Sequence, residues 1–313
     1  YGTPIMGGLI FVISICVINL IFNLNIYTEI PLYLFAASAL LGAIDDLLNI
    51  FGQPRKIKTL SRVLKLIKVH KSIVVRIFYL ITLPWHLFSA FMHMFESNPG
   101  NGLRAHEKIL IQTLIGGILG LWVYKVIGGI LWIPILGTFD VGLWIIPITV
   151  FIYMATTNAT NISDGMDGLA SGMGVITILS VMLIATFSFN YPIALLAGSS
   201  VGALITYLYF NIKPARVQMG DTGSFALGAL ITILFFAIGK PLLILIAGFP
   251  FVVEISSTII QSISRRLFGK RILQMAPLHH HFEMVGWSED KVVVRFWIFS
   301  IACNLIALWL SFF

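Results

Sequence analysis

Charge is what this sequence has least of. Only 11% of its 313 residues are Asp, Glu, Lys or Arg, against roughly 25% in an ordinary soluble domain. Apolar residues make up 58% and mean hydropathy is +0.96, which excludes a soluble globule and leaves a polytopic membrane protein. Cysteine is scarce as well: Cys16 and Cys303 lie in apolar runs without pairing or metal-ligand spacing and read as small buried hydrophobes. His279, His280 and His281 lack a second ligand cluster, and three successive side chains seldom converge on one zinc ion. There is no nucleic-acid module and no basic groove interleaved with aromatics, so the net charge of +7 speaks for a membrane surface and against DNA or RNA. Tyr1 follows no initiator Met or signal-peptide pattern, and an upstream segment is expected.

What is present is a series of apolar runs near the roughly 20 residues that cross about 30 Å of hydrocarbon. Nine spans are expected, near 5–24, 30–48, 109–131, 143–160, 168–188, 192–210, 224–239, 241–263 and 294–313. With the loop after Asp45 and Asp46 set in the cytoplasm, 18 of the 20 Lys and Arg fall on that side, leaving Lys125 and Lys240 opposite. This is the asymmetry of the positive-inside rule. Residues 55–76 set Arg55, Lys56, Lys58, Arg62, Lys65, Lys68, Lys71 and Arg76 among apolar residues, a pattern suited to the headgroup plane. Residues 77–95 are oily but divided by Pro84, and a crossing there would reverse the basic-residue pattern; an interfacial or re-entrant hairpin is expected.

Five polar islands interrupt the spans, all on one membrane face: Asp45-Asp46, Gly102 to Gln112, Asn161 to Gly168, Asn211 to Ser224 and Pro277 to Glu283. Ionisable groups at the edge of hydrocarbon are costly, so their gathering points to a reaction site. Asp45 and Asp46 point about 100° apart on a helix, which allows one to face the site and the other a supporting partner. In NISDGMDG a helix is expected to begin, with Asp164 able to serve as its N-cap and Asp167 left over for ligand recognition. Asp221 lies between glycines just before another apolar run, a setting that suits Mg²⁺, which takes one or two protein oxygens and keeps positions for water and phosphates. The histidines, with Arg265, Arg266, Lys270 and Arg271 close in sequence, suit stabilisation of an anion such as a diphosphate.

The ordered segments GTPIMGG, AIDDLLNI, GLRAHEK with Gln112, NATNISDGMDGLASG, NIKPARVQMGDTGSFALGAL and PLHHHFEMVGWSEDKVVVRFW together resemble the phospho-N-acetylmuramoyl-pentapeptide transferases, within the polyprenyl-phosphate N-acetylhexosamine-1-phosphate transferase superfamily. The likeness covers nearly all the chain except about 52–100, which reads as an insertion within a single domain of 1–313. It implies an all-α polytopic bundle of ten spans, of which this sequence supplies nine, the first helix and a basic loop residue lying upstream. It also implies a homodimer in the bacterial cytoplasmic membrane, with its active site facing the cytoplasm. The reaction implied moves phospho-MurNAc-pentapeptide from UDP to undecaprenyl phosphate, with Mg²⁺ required and UMP released.

Position by position, the resemblance makes Asp221 the Mg²⁺ ligand, Asp45 and Asp46 the acidic pair near the acceptor phosphate, Lys108 the loop lysine serving the phosphates, and His279 a functional imidazole. Thr3, Asn161, Asp164, Gly165, Met166, Asp167, Asn211, His280 and His281 are expected on the substrate side, and Glu254 as a structural partner. Two positions depart from the family: Asn49 stands where Lys is usual, and Gln218 replaces an aromatic expected to stack on uracil. Phosphoryl transfer needs alignment and charge neutralisation above all. Direct attack by the acceptor phosphate and a covalent intermediate on Asp46 are both open. A sister reaction with UDP-GlcNAc is the nearest alternative; a transporter is the alternative of another class, and the internal repeat usual in transporters is not evident.

Overall fold

The structure, a computed structural model, describes residues 2–52, 60–69, 72–93 and 102–313. Fourteen helices and one hairpin follow in order: α1 (Gly8–Phe22), α2 (Glu29–Phe51), α3 (Leu60–Val69), α4 (Ile73–Ile81), α5 (Leu83–His93), α6 (Ala105–Val126), β1 (Ile130–Ile133), β2 (Gly137–Asp140), α7 (Ile145–Ser163), α8 (Leu169–Phe187), α9 (Tyr191–Asn211), α10 (Gly220–Ala237), α11 (Ile244–Ala247), α12 (Phe249–Leu267), α13 (Leu278–Met284) and α14 (Glu289–Leu310). Packing divides the chain into a unit of residues 1–46 with 112–313 and a second unit of 47–111.

Among the described residues seven helices are long and apolar enough to cross a bilayer. An eighth span forms if the segment Pro241–Ala247 and α12, bent by 78° across Gly248, count as one. The ninth expected run is α1, only 15 residues long and thus short of about 30 Å at 1.5 Å per residue. The chain is an all-α polytopic membrane protein with one small hairpin. That hairpin is the main departure from the expected spans: the run drawn to residue 131 leaves the helix at Val126, and Ile130 to Ile133 pair antiparallel with Gly137 to Asp140. Gly128 (φ +82°) and Gly137 (φ +89°) turn the chain where a helix would continue.

In the larger unit α10 is the axis. It packs on α7, α1 and α8, and its side chains from Thr222 to Phe236 are buried in protein rather than facing lipid. Close approach makes this possible: a Cβ on Gly42 of α2 would sit 2.1 Å from the Asp221 carbonyl oxygen, so backbone meets backbone there. Polar groups buried in this core find partners, as they must without water. Tyr153 Oη and Ser38 Oγ, 2.7 Å apart, join α7 to α2. Asn304 of α14 accepts from Ser180 Oγ of α8 at 2.7 Å and donates to the Ala247 carbonyl at 2.9 Å.

In the 47–111 unit, the basic amphipathic segment contains α3, which carries Arg62, Lys65 and Lys68; Arg55, Lys56, Lys58 and Lys71 lie outside the described residues. The oily segment after it is two helices, α4 and α5, divided at Thr82, with Pro84 in the first turn of α5 where its missing N–H costs nothing.

Candidate functional site

Three of the five polar islands, those of Asp46, Asn161 to Asp167 and Asn211 to Asp221, meet at the N-terminus of α10. A helix start leaves amide groups unpaired, and the sequence around Gly220 supplies no capping side chain of its own. A neighbouring helix does. Asp46, on α2, accepts from the Asp221 amide (3.0 Å), the Thr222 amide (2.9 Å) and Thr222 Oγ1 (2.6 Å). It is the adjacent Gly42 contact, one turn back on α2, that brings the carboxylate this near. Asn161, in the last turn of α7, donates through Nδ2 to Asp221 Oδ1 (2.8 Å) and Ser224 Oγ (2.9 Å), fixing the orientation of the Asp221 carboxylate.

Around these groups lies a cavity of 220 Å³ lined by Ile5, Asp46, Asn161, Asp164 to Asp167, Asn211 and Gln218 to Asp221. Four carboxylates share it. Asp164 follows α7 as its C-cap, contrary to the expectation that it caps the next helix. α7 runs on through Ser163, and α8 starts only at Leu169 after Gly168 (φ +77°), without a side-chain cap. Burial, then the charges of Asp221 and Asp46, hold Asp164 well above the usual carboxylate range, against the pull of the Gly220 amide. Negative charge so concentrated suits a cation, and Mg²⁺ asks for only one or two carboxylates. Among the described residues no three Asp, Glu, His or Cys side chains converge as a closed metal cage, so the donor set fits an open site completed by water and substrate oxygens.

The walls of the cavity are tied together. Asn211 accepts from the Gly168 amide (3.2 Å) and Ser171 Oγ (2.7 Å) and donates to the Val217 carbonyl (3.1 Å), which joins the 164–168 turn to the 212–218 loop. Asp167 accepts from the Ala215 amide at 3.0 Å, while its own amide donates to Glu289 Oε1 at 2.9 Å. Glu289 in turn pairs with Lys213 at 2.7 Å.

The histidines stand on α13, a short helix, and although the rings of His279 and His280 lie 4.3 Å apart each ring has a partner of its own. His279 is wholly buried and its Nδ1 lies 2.8 Å from Glu254 Oε2. His280 Nδ1 lies 2.8 Å from Glu283 Oε2, and His281 Nδ1 accepts from the Gln274 amide at 3.2 Å. None of the three lines the cavity.

Residues 100–239 match the model of the Glycosyl transferase family 4. Over 310 residues the sequence is 36% identical to a phospho-N-acetylmuramoyl-pentapeptide-transferase of Caldicellulosiruptor bescii, covering 98% of this chain and 82% of that one. It is 34% identical over 314 residues to the protein of the same name in Caldanaerobacter subterraneus, covering 100% and 84% of the two chains, and 35% identical over 308 residues to that of Clostridium botulinum, covering 97% and 81%. The chain belongs to the phospho-N-acetylmuramoyl-pentapeptide transferase family.

In this transferase the remaining expected residues lie as follows. Asp45 is buried on α2, beside Asp46 and outside the cavity lining. Both stand inside α2, which runs on to Phe51, rather than at its end. Thr3 is exposed, although the segment it begins reaches the site: the Gln218 amide donates to the Pro4 carbonyl and the Gly7 amide to the Gln218 carbonyl, both at 2.8 Å. Lys108 lies in the first turn of α6, within the 47–111 unit. Sequence reasoning passed over Thr222, whose hydroxyl and amide both engage Asp46, and Glu289, which braces Asp167. A hydroxyl directly after Asp221 was the available signal for the first; nothing local marked the second.

Proposed function

We propose that this protein transfers phospho-MurNAc-pentapeptide from its UDP carrier to undecaprenyl phosphate, releasing UMP, in a Mg²⁺-dependent step at the cytoplasmic face of the bacterial inner membrane, and that it works as a homodimer. Family membership supports the transfer. The observation that carries the chemistry is the carboxylate cavity at the start of α10, where Asp46, Asp164, Asp167 and Asp221 surround backbone amides.

Asp221, oriented by Asn161, is the residue that would hold Mg²⁺, which would supply positive charge to offset that of the donor's diphosphate. Lys108 would add positive charge to the phosphates. The 164–168 turn, braced by Asn211 and Glu289, would seat the nucleoside side of the donor. Asp46 accepts three hydrogen bonds, and a carboxylate so engaged is a poor nucleophile. This favours direct attack by the acceptor phosphate, itself an anion that needs no proton removed.

The test uses the protein in nanodiscs, with UMP release followed in the presence of undecaprenyl phosphate and either UDP-MurNAc-pentapeptide or UDP-GlcNAc, with and without Mg²⁺. Turnover of the pentapeptide donor alone, lost on chelation, is expected. Preference for UDP-GlcNAc would reassign the substrate, and no UMP from either donor in a folded sample would overturn the reading.

A further inference from the structure

Glu254 stands in the second turn of α12, remote from the basic residues of its last turn, and is wholly buried. A buried carboxylate persists only when donors meet its lone pairs. Two of those donors come from one residue: the His279 amide donates to Oε1 at 3.2 Å, and Nδ1 of the ring lies 2.8 Å from Oε2. A carboxylate can only accept, so it keeps a proton on Nδ1, and a ring that carries one proton then has its lone pair on Nε2. That nitrogen is buried and has no hydrogen-bond partner among the described residues. It is aimed at Gly165, where an added Cβ would lie 2.4 Å from it. Gly165 and Met166 line the cavity, whereas His279 does not. The imidazole therefore stands behind the cavity wall with an unused acceptor turned toward the backbone of the wall.

We propose that Glu254 is a positioning residue of the donor site: by holding the proton on Nδ1 of His279 it keeps Nε2 bare where it packs on Gly165, so that no N–H presses on the Gly165–Met166 turn, and this leaves the turn in the form that receives the nucleotide donor. The proposal rests on the transferase reading above, since it assigns that turn to the donor. It also explains why position 165 is glycine, because any side chain would enter the imidazole.

Glu254→Gln is the discriminating variant. Its carboxamide keeps the shape and can still accept from the His279 amide, but its NH₂ now faces Nδ1 and drives the proton to Nε2. The expected result is a rise of about tenfold or more in KM for UDP-MurNAc-pentapeptide, with kcat and the KM for undecaprenyl phosphate changed by less than about threefold. His279→Asn carries the same test independently, since the Asn amide can replace Nδ1 toward Glu254 but places no atom at Nε2. The double variant should be no worse than either single one. An unchanged donor KM in either variant, equal losses toward both substrates, or additive losses would overturn the proposal. Calorimetric binding of the UDP donor separates it from the parent reading. A wild type that binds no donor removes both, while wild-type binding and turnover matched by the variants removes this one alone.

Discussion

The two ends of α10 obey one rule and arrive at different results. Just past its C-terminal end stands Lys240: its backbone amide donates to the Phe235 carbonyl of α10 at 3.0 Å, while its ammonium donates to the Ser311 carbonyl at the end of α14 and lies 4.2 Å above the Trp132 ring, and burial lowers its pKa. That is the complement a set of helix carbonyls asks for. At the N-terminal end Asp46 alone would meet the same need, yet Asp164, Asp167 and Asp221 gather there too. Charge that matches the need of the helix is architecture; charge in excess of it marks where a ligand must supply the balance.

Four variants test that contrast. Asp221→Asn, which removes surplus charge without disturbing the cap, should reduce UMP release by about a thousandfold or more, with elution and thermal midpoint in detergent unchanged; retained Mg²⁺-dependent turnover would take Asp221 out of the metal role. Asp46→Ala should lose activity and also about 2–3 kcal/mol of stability, because it orphans the amides and hydroxyl it now pairs. A variant that lost activity alone would show that the cap is dispensable.

Asp164→Asn should lower turnover while raising the thermal midpoint by about 2–4 °C at neutral pH. The sign follows from the raised pKa. The fold disfavours the charged form, so the native Asp164 costs stability as pH climbs above the ordinary carboxylate range, and the gain from Asn must vanish below that range, where both side chains are neutral. Lys240→Met should do least, about 1 kcal/mol of stability and no change in UMP release; loss of turnover there would break the comparison outright.

Most of the helices could be read from the sequence because hydropathy reports burial from water, and the protein interior and lipid are alike in that respect. The same equivalence hid which helix is the core: α10 is no oilier than its neighbours, and only its packing shows that it is enclosed by protein. Only the start of the hairpin at 130–140 was covered by the span drawn to residue 131, because Ile130 and Leu131 are as apolar as a helix end. In the site, Asp46, Asn161, Asp164, Asp167, Asn211 and Asp221 could be found from the cost of polar groups near hydrocarbon. The separate fates of three adjacent histidines could not, because they depend on α13 being helical and on Glu254, 25 positions upstream, pulling one ring inward. Glu289 was similarly hidden, since its partner Asp167 lies 122 positions upstream.

Gly42 adds a question of tolerance. Asp46 lies four positions further on, one helical turn or about 6 Å along the axis, and the Cα of Gly42 rests against the Asp221 carbonyl with no room for a methyl group. The distance from the Asp46 carboxylate to the α10 amides is thus set by a hard mechanical stop between two backbones, with no flexible side chain to absorb an error. A methyl group introduced at this position, outside the cavity lining, would act as a change in the dimensions of the site itself.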